Sequence, residues 1–149
     1  MMATFPKYFR EFSCFDDLTD EQIDTIAEFS DAVCYPANKI LFKEGEVGKK
    51  LYFLRKGELE VLFNIGEEGQ VRVDTLFGEE IAGCSALVEP YIYSATEKTL
   101  TEVEVLEVDN QALRELIQKD CQLGLLIQQQ LLKKLMKRIL DFRINLLQQ

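Results

Sequence analysis

The apolar positions change their spacing twice along the chain, from helical to alternating and back to helical. Thr19 and Gln22 have the spacing of a capping box, which predicts a helix from Thr19 to about residue 31 with Ile23 and Ile26 on its apolar face. Such a helix is preceded by aromatic residues at roughly helical spacing: Phe5, Tyr8, Phe9, Phe12 and Phe15. One interpretation of this segment is that it docks a partner protein, and the other is that it packs on its own domain or on a second copy. We expect it to pack on its own domain or on a second copy.

Between Val33 and Asp109 the pattern becomes that of short strands separated by regularly spaced turns, as in an all-β roll. Glycine marks the turns at residues 44–48, at Gly57 and at residues 66–69. Strands are predicted at residues 39–42, 51–55, 58–63, 70–76, 94–99 and 102–108. We therefore predict a mainly β fold with flanking helices: a double-stranded β-helix (a jelly-roll β-roll), an N-terminal helix and a long C-terminal dimerisation helix.

After Asp109 the periodicity is helical to the end of the sequence. Either Asp109 or Asn110 can cap a helix over residues 111–118, residues 119–120 interrupt it, and a long helix is predicted over residues 121–147. One apolar stripe of that helix contains Leu125, Leu132, Leu135, Ile139, Phe142 and Leu146, and a second contains Ile127, Leu131, Met136, Leu140 and Ile144. One helix cannot bury both stripes against a small roll. We therefore expect one stripe to pack on the roll and the other on a second copy, which makes a homodimer.

The length of 149 residues fits one structural domain, 1–149, with room for a hydrophobic core. Within it we distinguish an N-terminal helical segment (residues 1–32), the β-roll (33–109) and the C-terminal helices (110–149). No internal repeat and no low-complexity linker divides the chain.

Charge and composition remove several classes of function. The net charge of −9 argues against a general nucleic-acid surface, although residues 121–149 carry five basic residues against one acid. We expect that basic excess to be a solvated helix face, with contact to an acidic partner or an anion as the alternative. The chain has no histidine, which excludes a Ser-His-Asp triad and His-ligated zinc, and we expect no enzymatic activity.

The four cysteines fit a cytoplasmic protein with reduced thiols. Their spacings match neither a zinc site nor a C-x-x-C redox motif, so we expect reduced, mostly buried side chains at Cys14, Cys34, Cys84 and Cys121. No apolar run approaches the roughly 20 residues of a membrane span, and the N-terminus lacks the apolar region of a signal peptide. We therefore expect no membrane association.

Two motifs carry a family resemblance. Gly83-Cys84-Ser85-Ala86-Leu87, a five-residue spacer and Tyr93-Ser94-Ala95-Thr96 resemble the phosphate-binding cassette of cyclic nucleotide-binding domains, within a cassette-like segment at residues 78–96. That cassette reads Gly-Glu-x-small-aliphatic, a spacer, then Arg-Ser/Thr-Ala. Residues 41–57, with glycines at 45, 48 and 57, resemble the early strand-turn-strand signature of the same family.

The resemblance implies a ligand site whose two charged groups are absent. In the family, backbone N–H groups of the cassette surround the cyclic phosphate, and Gly83, Ser85, Ala86, Ser94 and Ala95 keep that pattern here. The family's ribose-binding Glu falls on Cys84, and its phosphate-binding Arg falls on Tyr93. Losing both weakens binding by roughly 2.5–6 kcal/mol, or about two to four powers of ten. We therefore expect weak or no binding of cAMP and cGMP.

Several alternatives for the site remain open. In a competing register the cassette starts at Gly78, and Glu79 is the ribose ligand. Arg72 or Arg138 could replace the missing arginine from a neighbouring strand or from the long helix. Tyr93 and Cys84 could instead favour a less charged, more apolar ligand stacked on Tyr91 or Tyr93, or Tyr93 could simply fill the pocket. No cofactor is predicted beyond a cyclic nucleotide or another small anionic or apolar ligand.

Three functions follow. The first is a regulatory module of the cyclic nucleotide-binding fold that acts through an unknown protein partner or ligand, and the second is a true cAMP or cGMP receptor with a rearranged site. The third is a cupin-type enzyme with a metal held by carboxylates alone. In the bacterial regulators that the chain resembles, the long helix leads into a DNA-binding domain; none follows it in this sequence, so we expect no DNA binding through this chain. By analogy with the family, occupancy of the cassette is expected to shift a hinge near Asp120 and reorient the long helix.

Overall fold

The computed structural model describes residues 2–3 and 6–148, so Phe5 of the aromatic segment lies outside the described residues. The strands are β1 (Met2–Ala3), β2 (Ser30–Tyr35), β3 (Ile40–Phe42), β4 (Lys50–Lys56), β5 (Leu59–Asn64), β6 (Gln70–Leu76), β7 (Ile81–Ala82), β8 (Thr96–Thr99) and β9 (Val103–Asp109). The α-helices are α1 (Asp20–Glu28), α2 (Asn110–Lys119) and α3 (Cys121–Leu147). The predicted mainly β fold with flanking helices is confirmed.

The strands form two antiparallel sheets that face each other as a jelly roll. One sheet has the order β1-β2-β9-β4-β7 and the other the order β3-β8-β5-β6. In the first sheet β9 lies between β2 and β4, so both of its backbone edges are paired, and most of its side chains are buried. Apolar side chains of the two sheets and of the helices fill two core clusters, which together bury most of the large hydrophobic residues of the roll.

The aromatic N-terminal segment packs on its own domain, as expected. It forms two 3-10 helices, Pro6–Glu11 and Ser13–Phe15, rather than an α-helix. Phe9, Phe12 and Phe15 are buried around Phe53 of β4, with ring centroids 6.3, 5.3 and 5.1 Å from that of Phe53. These edge-on and tilted contacts attach the segment to the core.

The predicted start of α1 is confirmed, and its predicted end is not. The Thr19 hydroxyl accepts the N–H of Gln22, and the Gln22 carboxamide accepts the N–H of Thr19. The helix ends at Glu28 instead of about residue 31, because Ser30 already pairs with β9 as the first residue of β2. The pattern also missed β1 and β7, since two-residue strands are too short to show an alternation.

The boundary between α2 and α3 lies where the sequence predicts it. Asp109 caps α2 by accepting the N–H of Ala112 at 3.0 Å, and Asp120 caps α3 by accepting the N–H of Leu123 at 3.1 Å. Gln22 of α1 donates to the second carboxylate oxygen of Asp120 at 2.9 Å. The junction of the two C-terminal helices is therefore also held to α1.

Only the first turns of α3 pack apolar side chains against the roll. Leu123 and Ile127 are buried, and Leu126 and Leu131 pack partly against the same core. The remaining apolar residues are exposed: Leu125, Leu132, Leu135, Met136, Ile139, Leu140, Phe142, Ile144, Leu146 and Leu147. The expectation that one stripe packs on the roll is therefore wrong, because farther along this 27-residue helix polar side chains contact the roll: Lys134 bonds to Glu79 and Arg138 to Glu80. Within the described residues, no helix has the length and apolarity needed to span a membrane.

The cysteines are less buried than expected. All four thiols are free, but Cys34 and Cys121 are exposed, whereas Cys14 is buried and Cys84 is half-buried. Cys34 lies on β2 with its side chain toward solvent, and Cys121 is the first residue of α3. The expectation of mostly buried thiols thus holds for Cys14 and Cys84 only.

Asn110 joins three parts of the fold, although sequence patterns suggested only a helix cap. Its side chain is fully buried and donates to the carbonyl oxygen of Gly48 at 3.0 Å and to that of Ala86 at 2.7 Å. Its backbone N–H donates to the carbonyl of Lys49. The start of α2 is therefore bonded both to the turn before β4 and to the segment that follows β7.

Replacing Asn110 with Ala is expected to lower the free energy of unfolding by about 2–4 kcal/mol, because two buried carbonyl oxygens lose their donor. Urea denaturation measures the change. The exposed Asn64→Ala on β5 is the control and is expected to change stability by less than about 0.5 kcal/mol. Equal effects of the two substitutions would contradict the assigned role of Asn110.

Candidate functional site

The two halves of the cassette-like motif lie side by side. β7 leads into Gly83, which has a φ of +88° and starts a single turn of 3-10 helix, Cys84–Leu87. The N–H of Ser94 donates to the Ser85 hydroxyl at 3.1 Å, which connects the second half of the motif to this turn. The two halves of the motif therefore meet around the turn and together comprise Gly83, Cys84, Ser85, Ala86, Tyr93, Ser94 and Ala95.

This segment is tightly packed against the turn at residues 44–48. A Cβ atom built on Gly48 would lie 2.1 Å from the Cβ of Ala86, so both positions require small side chains. The backbone of Tyr93 exchanges hydrogen bonds with Gly45 and Glu46, and the N–H of Gly48 donates to Tyr91. The two sequence motifs that carry the resemblance are thus in direct contact.

Tyr93 fills the space beside Gly83. Its side chain is 4% exposed, and its ring stacks on Phe42 with the centroids 3.8 Å apart. The hydroxyl donates to the carbonyl of Lys50 at 2.7 Å and accepts the N–H of Lys50 at 3.0 Å. A Cβ atom on Gly83 would lie 3.1 Å from the Tyr93 ring, which leaves no room between them. Tyr93 therefore has no open face on which a ligand could stack, and this geometry favours the filled pocket.

Tyr91 also has an internal partner. Its ring lies under the guanidinium of Arg114, at 3.9 Å from the centroid, in a cation–π contact between the cassette loop and α2. The sequence pattern did not single out Arg114, because a charged residue in an amphipathic helix is expected on its solvated face. With Asn110, it gives α2 two contacts to the cassette.

Cys84 points toward the hydrophobic core. Together with Cys14 and apolar side chains such as Leu87 and Leu113, it lines a cavity of about 10 Å³. Burial raises the pKa of the Cys84 thiol to about 11, despite the opposing effect of Arg138. A neutral thiol at this position cannot supply the negative charge of the family's glutamate, and it lacks the thiolate character of a redox sensor.

The three auxiliary residues lie outside the cassette turn. Arg72 of β6 is ion-paired with Glu60 at 2.8 Å, and Arg138 of α3 is ion-paired with Glu80 at 2.5 Å. Glu79 has a φ of +69° in the turn before β7, and its carbonyl accepts a hydrogen bond from Lys134 at 3.3 Å. The short 3-10 helix thus begins after Gly83 and not after Gly78.

A larger cavity lies beside the cassette, between β6, the turn at residues 77–80 and α3. Its volume is about 500 Å³. It is lined by Val73, Asp74, Thr75, Phe77, Gly78, Glu79, Glu80, Lys134, Lys137, Arg138, Asp141, Phe142 and Asn145. Of the auxiliary residues, Glu79 and Arg138 therefore face one common cavity, whereas Arg72 does not line it.

Glu97 of β8 is a buried carboxyl group that sequence reasoning missed. It is 6% exposed, and its Oε2 atom has no hydrogen-bond partner among the described residues. Burial raises the pKa of Glu97 to about 8, while Arg138 opposes the shift. No alternation along β8 marked it out, because Thr96 and Thr99 are buried as well as Glu97.

The other two buried glutamates have partners. Glu107 of β9 binds the ammonium of Lys50 at 2.8 Å and accepts the hydroxyl of Tyr35. Glu60 of β5 binds Arg72 at 2.8 Å. Glu97 differs from both in having a fully buried carboxyl oxygen without a hydrogen bond inside the described fold.

The raised pKa of Glu97 predicts a pH dependence of stability. The folded state keeps the proton up to about pH 8, whereas the unfolded chain releases it near the ordinary value of 4.5. The contribution of Glu97 to stability is therefore fully present below about pH 4.5 and is lost progressively as the pH rises to about 8. Relative to Glu97→Gln, the free energy of unfolding of the native protein should fall over this range and change little above it.

Chemical denaturation of both proteins across this pH range measures the difference. Arg138, Asp74 and Glu80 are the charged groups that act on Glu97, and all three are retained in the variant. Glu60→Gln serves as the control, since Glu60 is ion-paired with Arg72. A stability difference between the native protein and Glu97→Gln that does not vary with pH would contradict the assignment.

A model of the cyclic nucleotide-binding domain matches residues 32–120 of the chain. The chain is similar to the cGMP-dependent protein kinase isozyme 2 of Drosophila melanogaster, with 30% identity over 103 residues, covering 69% of this chain and 9% of the kinase. It is also similar to the cAMP-dependent protein kinase regulatory subunit of Schizosaccharomyces pombe, with 27% identity over 107 residues, covering 72% of this chain and 25% of that subunit. The chain thus spans a quarter or less of the length of these relatives.

Among solved structures, a Geobacter metallireducens protein named for cyclic nucleotide binding superposes with a TM-score of 0.82 and 26% sequence identity. The match covers 93% of this chain and 99% of that protein. A similarity of this extent includes the long C-terminal helix as well as the roll.

Proposed function

Because the chain belongs to the cyclic nucleotide-binding domain family, we propose that it is a regulatory module of that family whose cassette binds cAMP and cGMP weakly or not at all. The observation that carries the proposal is the position of the Tyr93 ring, stacked on Phe42 and against Gly83. Tyr93 stands where the resemblance places the phosphate-binding arginine. The module therefore has the scaffold of a nucleotide site without the cation of that site.

The free energies of the missing interactions also support weak binding of cAMP and cGMP. A charge-assisted hydrogen bond to phosphate contributes about 1.5–3 kcal/mol, and neither Tyr93 nor Cys84 can replace the charged groups of the family. Opening the space beside Gly83 would also break the two hydrogen bonds between Tyr93 and Lys50. The other contacts of a bound cyclic nucleotide would have to offset both the missing charge-assisted bonds and the two broken hydrogen bonds.

A receptor with a rearranged site is the second candidate. It is favoured by the 500 Å³ cavity, which contains Arg138 and Glu79. Arg138, however, is already paired with Glu80, so an anionic ligand would have to displace a carboxylate. A carboxylate-held metal gains no support, because no cluster of three or more His, Cys, Asp or Glu side chains suited to a metal occurs in the described part of the chain.

Titration calorimetry with cAMP and cGMP tests the proposal. We expect no binding in the micromolar range for the native protein, and a gain of about two powers of ten or more in affinity for the double variant Cys84→Glu/Tyr93→Arg. The matched control, Cys84→Ala/Tyr93→Phe, changes the same two positions without adding charge and should bind as weakly as the native protein. A micromolar dissociation constant for the native protein would refute the proposal.

We further propose that the cassette is coupled to the C-terminal helices through α2. Asn110 bonds to Ala86, and Arg114 contacts Tyr91, so a displacement of the cassette acts on both. α2 ends at Lys119, and the next residue, Asp120, caps α3 and is bonded to Gln22. Binding of a ligand at the cassette would thereby change the direction of α3 relative to the roll.

The exposed part of α3 supports a homodimer. From Leu132 onward its apolar residues are exposed, and they lie on more than one side of the helix. Pairing with α3 of a second copy buries one of these sides. An unidentified protein partner, a cytoplasmic location and the expectation of no DNA binding by this chain stay predictions from the sequence.

The substitution Leu135→Asp should shift the protein from dimer to monomer, because it places a charge in the apolar seam between the paired helices. Gln129→Asp, at an exposed polar position on the same helix, matches it in helix propensity and should leave the dimer intact. Sedimentation equilibrium measures both. A native protein that is monomeric at all concentrations would disprove the dimer.

A further inference from the structure

Arg114 of α2 is a cation without an anionic partner among the described residues. Its guanidinium stacks on the ring of Tyr91, with the Cζ atom 3.9 Å from the ring centroid, and no carboxylate of the described fold pairs with it. The Nε atom is buried and makes no hydrogen bond. The residue as a whole is only half-buried, and Nη1 and Nη2 are not among its buried unpartnered atoms, so they face solvent. The stack therefore presents N–H donors in a fixed orientation at the surface.

Arg55 shows how the same arrangement is completed elsewhere in this protein. Its guanidinium is also half-buried and lies 3.8 Å from the ring centroid of Tyr8. Its Nε and Nη2 atoms donate to the carboxylate of Glu11 at 3.0 and 2.8 Å. Arg114 has the aromatic contact of this arrangement and lacks the carboxylate. A carboxylate is therefore the group that complements it, because the planar guanidinium matches both carboxylate oxygens.

Exposed apolar side chains occur in the loops beside this stack. Tyr91 lies in the cassette loop between Val88 and Ile92, whose side chains are 64% and 39% exposed. The N–H of Tyr91 donates to the carbonyl of Val88, and Ile92 pairs with Val47 of the neighbouring turn, which is 65% exposed. Arginine and tyrosine bordered by apolar residues are typical of the centre of a protein-protein contact. We call these five residues the loop–helix surface: Val47, Val88, Tyr91, Ile92 and Arg114.

We propose that the loop–helix surface binds a segment of a partner protein that carries a carboxylate beside an apolar side chain, with Arg114 as the anchor for the carboxylate. The proposal deepens the proposed function and rests on it, since it names the surface and the chemistry by which the regulatory module holds its protein partner. The apolar side chain of the segment packs on the exposed residues of the two loops.

The local charge favours one carboxylate over a phosphate. Glu89 of the cassette loop and Glu115 of α2 are exposed and adjoin the surface in sequence, and neither pairs with Arg114. One guanidinium between two acids can offset a single negative charge, whereas a second negative charge on the ligand is repelled. The surface therefore differs from the clusters of several cations that bind phosphorylated segments.

A partner bound here acts on the contact between the cassette and α2. Arg114 lies one turn after Asn110 on the same face of the helix, and Asn110 donates to the carbonyl of Ala86. A segment held by Arg114 and by the cassette loop favours one position of α2 relative to the cassette. By linkage, a ligand that changes this position also changes the affinity for the partner.

Two capped peptides test the proposal, acetyl-Leu-Glu-Phe-amide and its neutral counterpart acetyl-Leu-Gln-Phe-amide. Nitrogen-15 NMR of the full chain follows the Nε–H signal of Arg114 and the backbone amides of residues 88–92 during titration. We expect saturable shifts of both sets of signals with the glutamate peptide. The glutamine peptide, which has the same shape without the charge, should bind about ten- to a hundredfold more weakly, as expected for one charge-assisted bond.

Substitutions then assign the binding to the two parts of the surface. Arg114→Gln should weaken binding of the glutamate peptide about ten- to a hundredfold, and Val88→Ser should weaken it severalfold. The matched control, Arg143→Gln, removes the same charge from an exposed position on α3 and should leave the affinity unchanged. If Arg114→Gln does not fold, the exposed Val88→Ser and the pair of peptides still decide the question in the native fold.

Equal binding of the two peptides, or an unchanged affinity of Arg114→Gln, would overturn the proposal. So would the absence of saturable shifts up to the solubility limit of the glutamate peptide. Inorganic phosphate that shifts the Arg114 signal with equal or higher affinity would also overturn it, since the surface would then be a general anion site. The cyclic nucleotide titration is separate: micromolar cAMP binding refutes the lost cassette site, whereas failure of the peptide to bind removes the partner surface alone.

Discussion

The buried carboxamide of Asn110 is the contact on which the arrangement of this fold depends. It gives one hydrogen bond to the turn before β4 and one to the cassette, and it does so from the first residue of α2. A side chain with no exposed surface that bonds to two separate backbone segments fixes their separation to within the tolerance of a hydrogen bond. A displacement of the cassette is therefore transmitted to the start of α2, which is the kind of coupling that a regulatory module needs.

Tight packing also surrounds the cassette. Gly48 and Ala86 touch, and Tyr93 occupies the space beside Gly83. Its hydroxyl bonds to both the backbone N–H and the backbone carbonyl of Lys50. An arginine in this position would extend a charge toward a ligand, whereas the tyrosine adds a ring to the core. The glycine and small-residue framework is then required by packing alone, and its presence in the sequence does not imply a bound phosphate.

Glu97 is set apart from the other buried glutamates of the roll. Glu97 is buried without a full set of partners, while Glu107 and Glu60, equally buried, have theirs. An unsatisfied buried carboxyl costs stability, and burial accordingly raises the pKa of Glu97 to about 8.

The sequence by itself determined the elements with strong local signals. The capping box at Thr19, the break at Asp120 and the full extent of α3 were predicted correctly because capping and helical periodicity are local properties. The two-residue strands β1 and β7 were missed, since their existence depends on a partner strand distant in the sequence. Tertiary structure alone decided the direction of each side chain: Tyr93 toward Phe42, Cys84 toward the core, Glu97 into the interior and Asn110 between two loops. The physical reason is that burial and hydrogen bonding are set by which distant segments meet, and the order of residues along one strand or turn does not contain that information.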